Sequence, residues 1–128
     1  MRYFTLAQAE ALIPDLEAAF GKALRLRDQA EARAASVRKL EQDGTDPARA
    51  AIERAQLQYL VNRVNECLAE VSTLGAVPKG LEPALADFPH KMGDADVYLC
   101  WRAGEKKITH YHGVEEGFSG RKPLPRMS

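Results

Sequence analysis

The chain has 128 residues and a mass of 14.2 kDa, with 18 basic and 18 acidic side chains and no long block of either sign. This length predicts one domain, residues 1–128, that buries roughly two thirds of its unfolded surface. The balanced charge argues against a nucleic-acid binder, no apolar run approaches the ~20 residues of a membrane span, and the N-terminus lacks the pattern of a signal peptide. A cytoplasmic protein with no nucleic-acid or membrane partner is therefore expected.

Residues 1–75 read as a helical hairpin. Thr5 and Gln8 have the spacing of a capping box, with Phe4 placed to pack beneath it, so a helix should start near Leu6. Pro14 removes a backbone donor, which predicts a short first helix ending near Leu12 and a second starting at Pro14 and running to about Glu41. Ala9, Ile13, Leu16, Phe20, Ala23, Ala30, Ala34 and Val37 recur at helical spacing, interrupted by Arg27. Gln42 to Thr45 is a turn. Asp46 then caps and Pro47 opens another helix, which Gly75 stops. Leu57, Leu60, Val64, Cys67, Leu68, Val71 and Leu74 form its stripe. The short turn makes the two helices antiparallel, as a coiled-coil-like arm. Two helices alone do not cover Leu57, Leu60, Val61 and Val64, so a second protomer or a protein partner is expected there, and a homodimer is favoured.

Residues 76–128 read as an irregular connector to Gly93, a small β-hairpin, and a Gly-rich C-terminal loop. The hairpin comprises 97–101 and 107–112 around a turn containing Gly104. Pairing Arg102 with Lys107 would gather Val97, Leu99, Trp101, Ile108, His110 and His112 on one face. A three-residue loop would instead put Ile108 and both histidines beside Cys100. The first register groups the apolar residues and is preferred. The fold class is thus α+β, a long antiparallel helical hairpin with a C-terminal β-hairpin subdomain.

The stretch from Asp87 to Pro125 holds all three histidines, the one tryptophan and one of two cysteines. Neither Cys67 nor Cys100 belongs to a disulfide framework or a CxxC pair, and structural burial suits both. His-x-His on a strand sets two imidazoles about 6 to 7 Å apart on one face. His110 and His112, with Asp87, His90 or Glu115 completing the set, would hold a divalent ion, iron or zinc, at the junction of hairpin and helices. Two other readings stand beside this one. Cys100 could act as a nucleophile with His112 as base, which needs the second register. Alternatively, Asp87 and Arg121 could form a structural ion pair while Glu105 holds the turn, in a non-catalytic interaction module.

Gly80-Leu81, Asp87-Phe88-Pro89, Val97 to Trp101, Gly104-Glu105, Tyr111-His112 and Gly117 to Arg121, with Phe4-Thr5 and Leu12-Ile13-Pro14, resemble the bacterial family catalogued as domain of unknown function 2203. The resemblance spans nearly the whole chain. It places Asp87, Cys100, Trp101, Glu105, His112, Gly117 and Arg121 on the family's motif, and so adds Cys100, Trp101, Glu105 and Arg121 as ligand-binding candidates. Tyr111 stands where the family more usually has tryptophan, and His90 and His110 lie outside the motif.

Overall fold

The computed structural model describes residues 2–125. Two helices begin the chain, α1 (Leu6–Ala11) and α2 (Ile13–Asp43). The Thr5 hydroxyl accepts from the Gln8 amide at 3.1 Å and the Gln8 side chain accepts from the Thr5 amide at 2.9 Å, a closed capping box. Pro14 falls in the first turn of α2, where its missing donor costs nothing, so the chain breaks at Leu12. Gly44 ends α2 with φ 65°, and Asp46 caps α3 (Pro47–Thr73), its carboxylate accepting from the Arg49 amide at 3.0 Å. At the far end Gly75 turns the chain with φ 101°.

Five antiparallel strands follow in the order of the sequence: β1 (Val77–Leu81), β2 (Ala84–Met92), β3 (Ala95–Arg102), β4 (His110–Gly113) and β5 (Lys122–Pro123). The stretch read as an irregular connector is in fact β1 and the whole of β2. Pro78 and Pro89 hid them, since proline deletes a ladder donor, but both sit where that donor is dispensable. Pro78 lies in the edge strand. Pro89 lies beyond the paired end of β1, where its carbonyl instead accepts the Phe4 amide at 2.7 Å.

Alternation along β2 and β3 divides the sheet into two faces. Ala84, Ala86, Phe88, Leu99 and Trp101 face the helices and form the core with Phe4, Ile13, Leu16, Phe20 and Val71. Phe4 meets Phe88 edge-on at 5.0 Å, and the Trp101 indole lies 5.8 Å from the Phe20 ring. Burying such aromatic side chains contributes roughly 1.5–3 kcal/mol each. Every residue from Ala84 to Pro89 is buried, so β2 is covered on both faces.

Among the described residues the far halves of α2 and α3 pack on one another, through Ala30, Val37 and Ala50. Arg27, the break in the apolar stripe of α2, reaches Glu82 in the β1–β2 turn at 2.6 Å and ties the arm to the sheet. Among the described residues no helix is long and apolar enough to cross a membrane.

Candidate metal centre

The β3–β4 register is the second of the two weighed from sequence. Leu99 pairs with Tyr111 and Cys100 with His110, so the preferred pairing of Arg102 with Lys107 does not form. The intervening segment makes its own contacts instead of a tight hairpin. The Glu105 carboxylate accepts the Arg102 amide at 2.8 Å, as expected for a residue holding the turn, and the Trp101 indole N–H donates to the Glu105 carbonyl at 3.0 Å. Ile108 reaches the core from this loop, its amide donating to Glu10 at 2.9 Å. Grouping Ile108 with Leu99 and Trp101 was sound, but Ile108 joins them from outside the strand, which frees β4 to shift by one residue.

That shift puts Tyr98, Cys100, His110 and His112 on the sheet face away from the helices, together with Leu85 and Asp87 of β2. The C-terminal segment from Gly113 to Arg121 covers this face. The buried group of candidate residues therefore lies beneath the C-terminal loop, not at the junction with the helices where it was expected.

His112 and Asp87 are 3% and 2% exposed, and His112 Nε2 lies 2.9 Å from Asp87 Oδ2. His112 Nδ1 is 2.8 Å from the Gly113 carbonyl. A carbonyl only accepts, so Nδ1 carries a hydrogen and donates. The second nitrogen then faces a carboxyl oxygen, and contact at this distance places one further proton on the line between them. The Tyr98 ring, 5.6 Å from the imidazole, holds it from the side.

Cys100 completes the group: one ligand atom each of Asp87, Cys100 and His112 lies within 4.8 Å of the others, all three residues buried. Burial pushes the Asp87 carboxyl up from its ordinary range, opposed by His112 and then Lys79. Burial and the Asp87 charge push the Cys100 thiol up to about 11, against the pull of Arg121. The register that the cysteine–histidine reading required is the one that forms, but a thiol held that high is a poor nucleophile near neutrality and His112 is already engaged at both nitrogens.

The other candidates are placed elsewhere. His110 is half-buried with Nδ1 2.8 Å from the Thr109 hydroxyl, and it stands outside the buried group. His90 is on the helix-facing side of β2, its Nδ1 on the Phe4 carbonyl at 2.6 Å. Glu115 is exposed. Its neighbour Glu116 accepts from the Gly113 amide at 2.7 Å and from Lys122 at 3.0 Å, and Gly113 with that amide foremost, then Lys122, holds the Glu116 carboxyl below the ordinary range. Arg121 pairs with Glu105 at 3.0 Å rather than with Asp87, and also donates to the Cys100 carbonyl at 3.2 Å. Trp101 faces the helices.

The model of a family described as "Uncharacterized conserved protein (DUF2203)" matches residues 2–124. The chain belongs to this family. No curated protein and no solved structure matches it. Asp87, Cys100 and His112, which are among the residues that carried the resemblance to this family, are the three that converge. Glu105 and Arg121 stand one layer out, bracing the strand that carries Cys100.

Sequence reasoning passed over Lys79 and Leu85, which with Glu116, Gly117 and Phe118 line a cavity of about 220 Å³ opening off the three buried side chains. Lys79 has no local signature, because only the β1–β2 pairing brings it near. Glu116 had a weak one, since Gly113 and Gly120 flank it. A Cβ at Gly120 would stand 2.9 Å from the Glu116 Cβ, so that position requires glycine for Glu116 to fold inward, whereas a Cβ at Gly113 would stand 2.9 Å from the Glu116 carboxylate, whose flexible end can shift aside.

Proposed function

We propose that the protein binds a single divalent ion, zinc, through Asp87, Cys100 and His112, with a further coordination position turned to the cavity for water or a small ligand. The observation that carries this reading is the convergence of one carboxylate, one thiol and one imidazole, all buried, with the imidazole anchored through its other nitrogen to a backbone carbonyl. Metal-bound histidines are oriented in this way. Three protein ligands and an open position are the pattern of reactive rather than structural zinc sites, and a thiolate in the set favours zinc over the iron that a two-histidine, one-carboxylate group would suit.

Tetrahedral zinc needs ligand atoms about 3.3–3.7 Å apart. The His112–Asp87 contact would open by about half an ångström, the ion taking the place of the shared proton. Binding would also release the Cys100 proton, since the thiolate is the ligand. The ion would supply a Lewis acid, and the Gly113–Arg121 segment would keep bulk water away from it.

Elemental analysis of untagged protein should find near-stoichiometric zinc. The metal should be lost in His112→Ala and Cys100→Ser and retained in His110→Ala, with each variant confirmed folded by circular dichroism. Zinc absent from reconstituted wild type, or kept by folded His112→Ala, would overturn the assignment.

A second reading rests on the arm. Ile52 and Tyr59, both 59% exposed, stand seven residues apart on one face of α3, with Ala32 and Ala55 between them in the groove shared with α2. A two-fold axis at Ala55 would lay Tyr59 of one copy over Ile52 of another, so the occupant we propose is a second copy of the chain. Light scattering should give a dimer that Tyr59→Glu dissociates; a monomeric wild type refutes it.

A further inference from the structure

The charges around the cavity point to its ligand. Glu116 is matched by Lys122 and the Gly113 amide, and Arg121 by Glu105. Lys79 takes part in none of the ion pairs among the described residues. Among the described residues its ammonium lies over the face of Tyr98, 5.9 Å to the ring centroid and at the far edge of cation–π reach, and its charge bears on the Asp87 carboxyl. A divalent ion held by the Asp87 carboxylate and the Cys100 thiolate would be neutralised by them. The net charge facing the cavity would then be the single positive charge of Lys79.

The remaining walls are apolar. Leu85 and Phe118 supply the apolar lining, and the cavity is smaller than the roughly 300–1,000 Å³ of sites for drug-sized molecules. One ammonium matches one negative charge. A phosphate, with up to two charges and three terminal oxygens, wants several donors, typically arginines or a run of backbone amides, and would leave Leu85 and Phe118 unused.

Resting on the zinc reading, we infer that the site takes a small monocarboxylate with a short apolar chain, the carboxylate seated between the open coordination position and the Lys79 ammonium and the chain lying between Leu85 and Phe118. Lys79 is then the residue that selects an acid over its neutral amide.

Cobalt-substituted protein provides the test, because the visible bands of cobalt report its ligands directly. The probes are butyrate, butyramide and inorganic phosphate, titrated into wild type, Lys79→Met and Lys79→Arg. Butyrate is expected to change the bands saturably, about 10-fold more weakly in Lys79→Met and within a few-fold of wild type in Lys79→Arg, while butyramide at the same concentrations leaves them unchanged. Equal responses of wild type and Lys79→Met, or tighter binding of butyramide or phosphate than of butyrate, would overturn the inference. Cobalt bands that ignore all three probes would overturn it while leaving the metal assignment standing. Absence of any thiolate–cobalt absorption would remove both.

Discussion

Asp87→Asn separates the structural work of the buried carboxyl from its chemistry. Asp87 is 2% exposed and meets His112 Nε2 at 2.9 Å. Because His112 Nδ1 donates to the Gly113 carbonyl, a neutral imidazole presents a bare Nε2 to Asp87, and an asparagine amide can donate to it in nearly the same place. The buried hydrogen bond survives, so stability at neutral pH should change by less than about 1 kcal/mol. Asp87→Ala would instead strand Nε2 and leave a small void, at a cost of about 2–3 kcal/mol.

The pH dependence has a definite sign. Burial raises the Asp87 carboxyl in the folded state, so the folded protein holds this proton more tightly than the unfolded chain does. The resulting stability is fully present below the unfolded value of about 3.9 and is lost as pH rises through the folded value. Asparagine has no such proton. The stability of Asp87→Asn relative to wild type should therefore improve steadily from pH 4 towards pH 7, as read by urea denaturation at several pH values. Zinc affinity should fall at least about 100-fold, since an anionic ligand is gone, equivalent to about 2.7 kcal/mol. An Asp87→Asn protein that unfolds at neutral pH would refute the proton placement, and one that keeps its zinc would refute the carboxylate's place in the site.

In a Cys67→Ser background, metal-free Cys100 should react with iodoacetamide at pH 8 at least about 100-fold more slowly than free cysteine. A thiol pushed up to about 11 is ionised there to only about one part in a thousand, against roughly a quarter for an ordinary thiol, and alkylation at the free-cysteine rate would contradict that environment. Gly75→Ala should lower stability by about 2–4 kcal/mol in thermal or urea melts, because Gly75 has φ 101° and an added Cβ would collide with the Phe4 ring at the centre of the core. A loss under about 1 kcal/mol would mean that Phe4 can move aside.

The helical half was legible because its signals are local. A capping box, a proline in a first turn, an aspartate before a proline and a glycine after the last apolar residue each act within a few residues of where they stand, and α1, α2 and α3 begin and end accordingly. The β half was not, because pairing depends on residues distant in the chain. Pro89 reads as a strand breaker until the Phe4 amide is seen to pair with its carbonyl, and Ile108 reads as a strand residue until Glu10 is seen to hold its amide.

The same division runs through the site. The sequence alone singled out the region and named Asp87 and His112, which lie in contact, and the family resemblance named Cys100, which lies beside them. What it could not decide was a shift of one residue between β3 and β4, which exchanges every side chain between the two faces of a strand. Tertiary structure settled that shift through the loop from Ala103 to Thr109, and with it whether His112 would stand beside Cys100 or behind it. Side chains such as Lys79 and Asp87, from separate strands, become neighbours only when the whole sheet has formed.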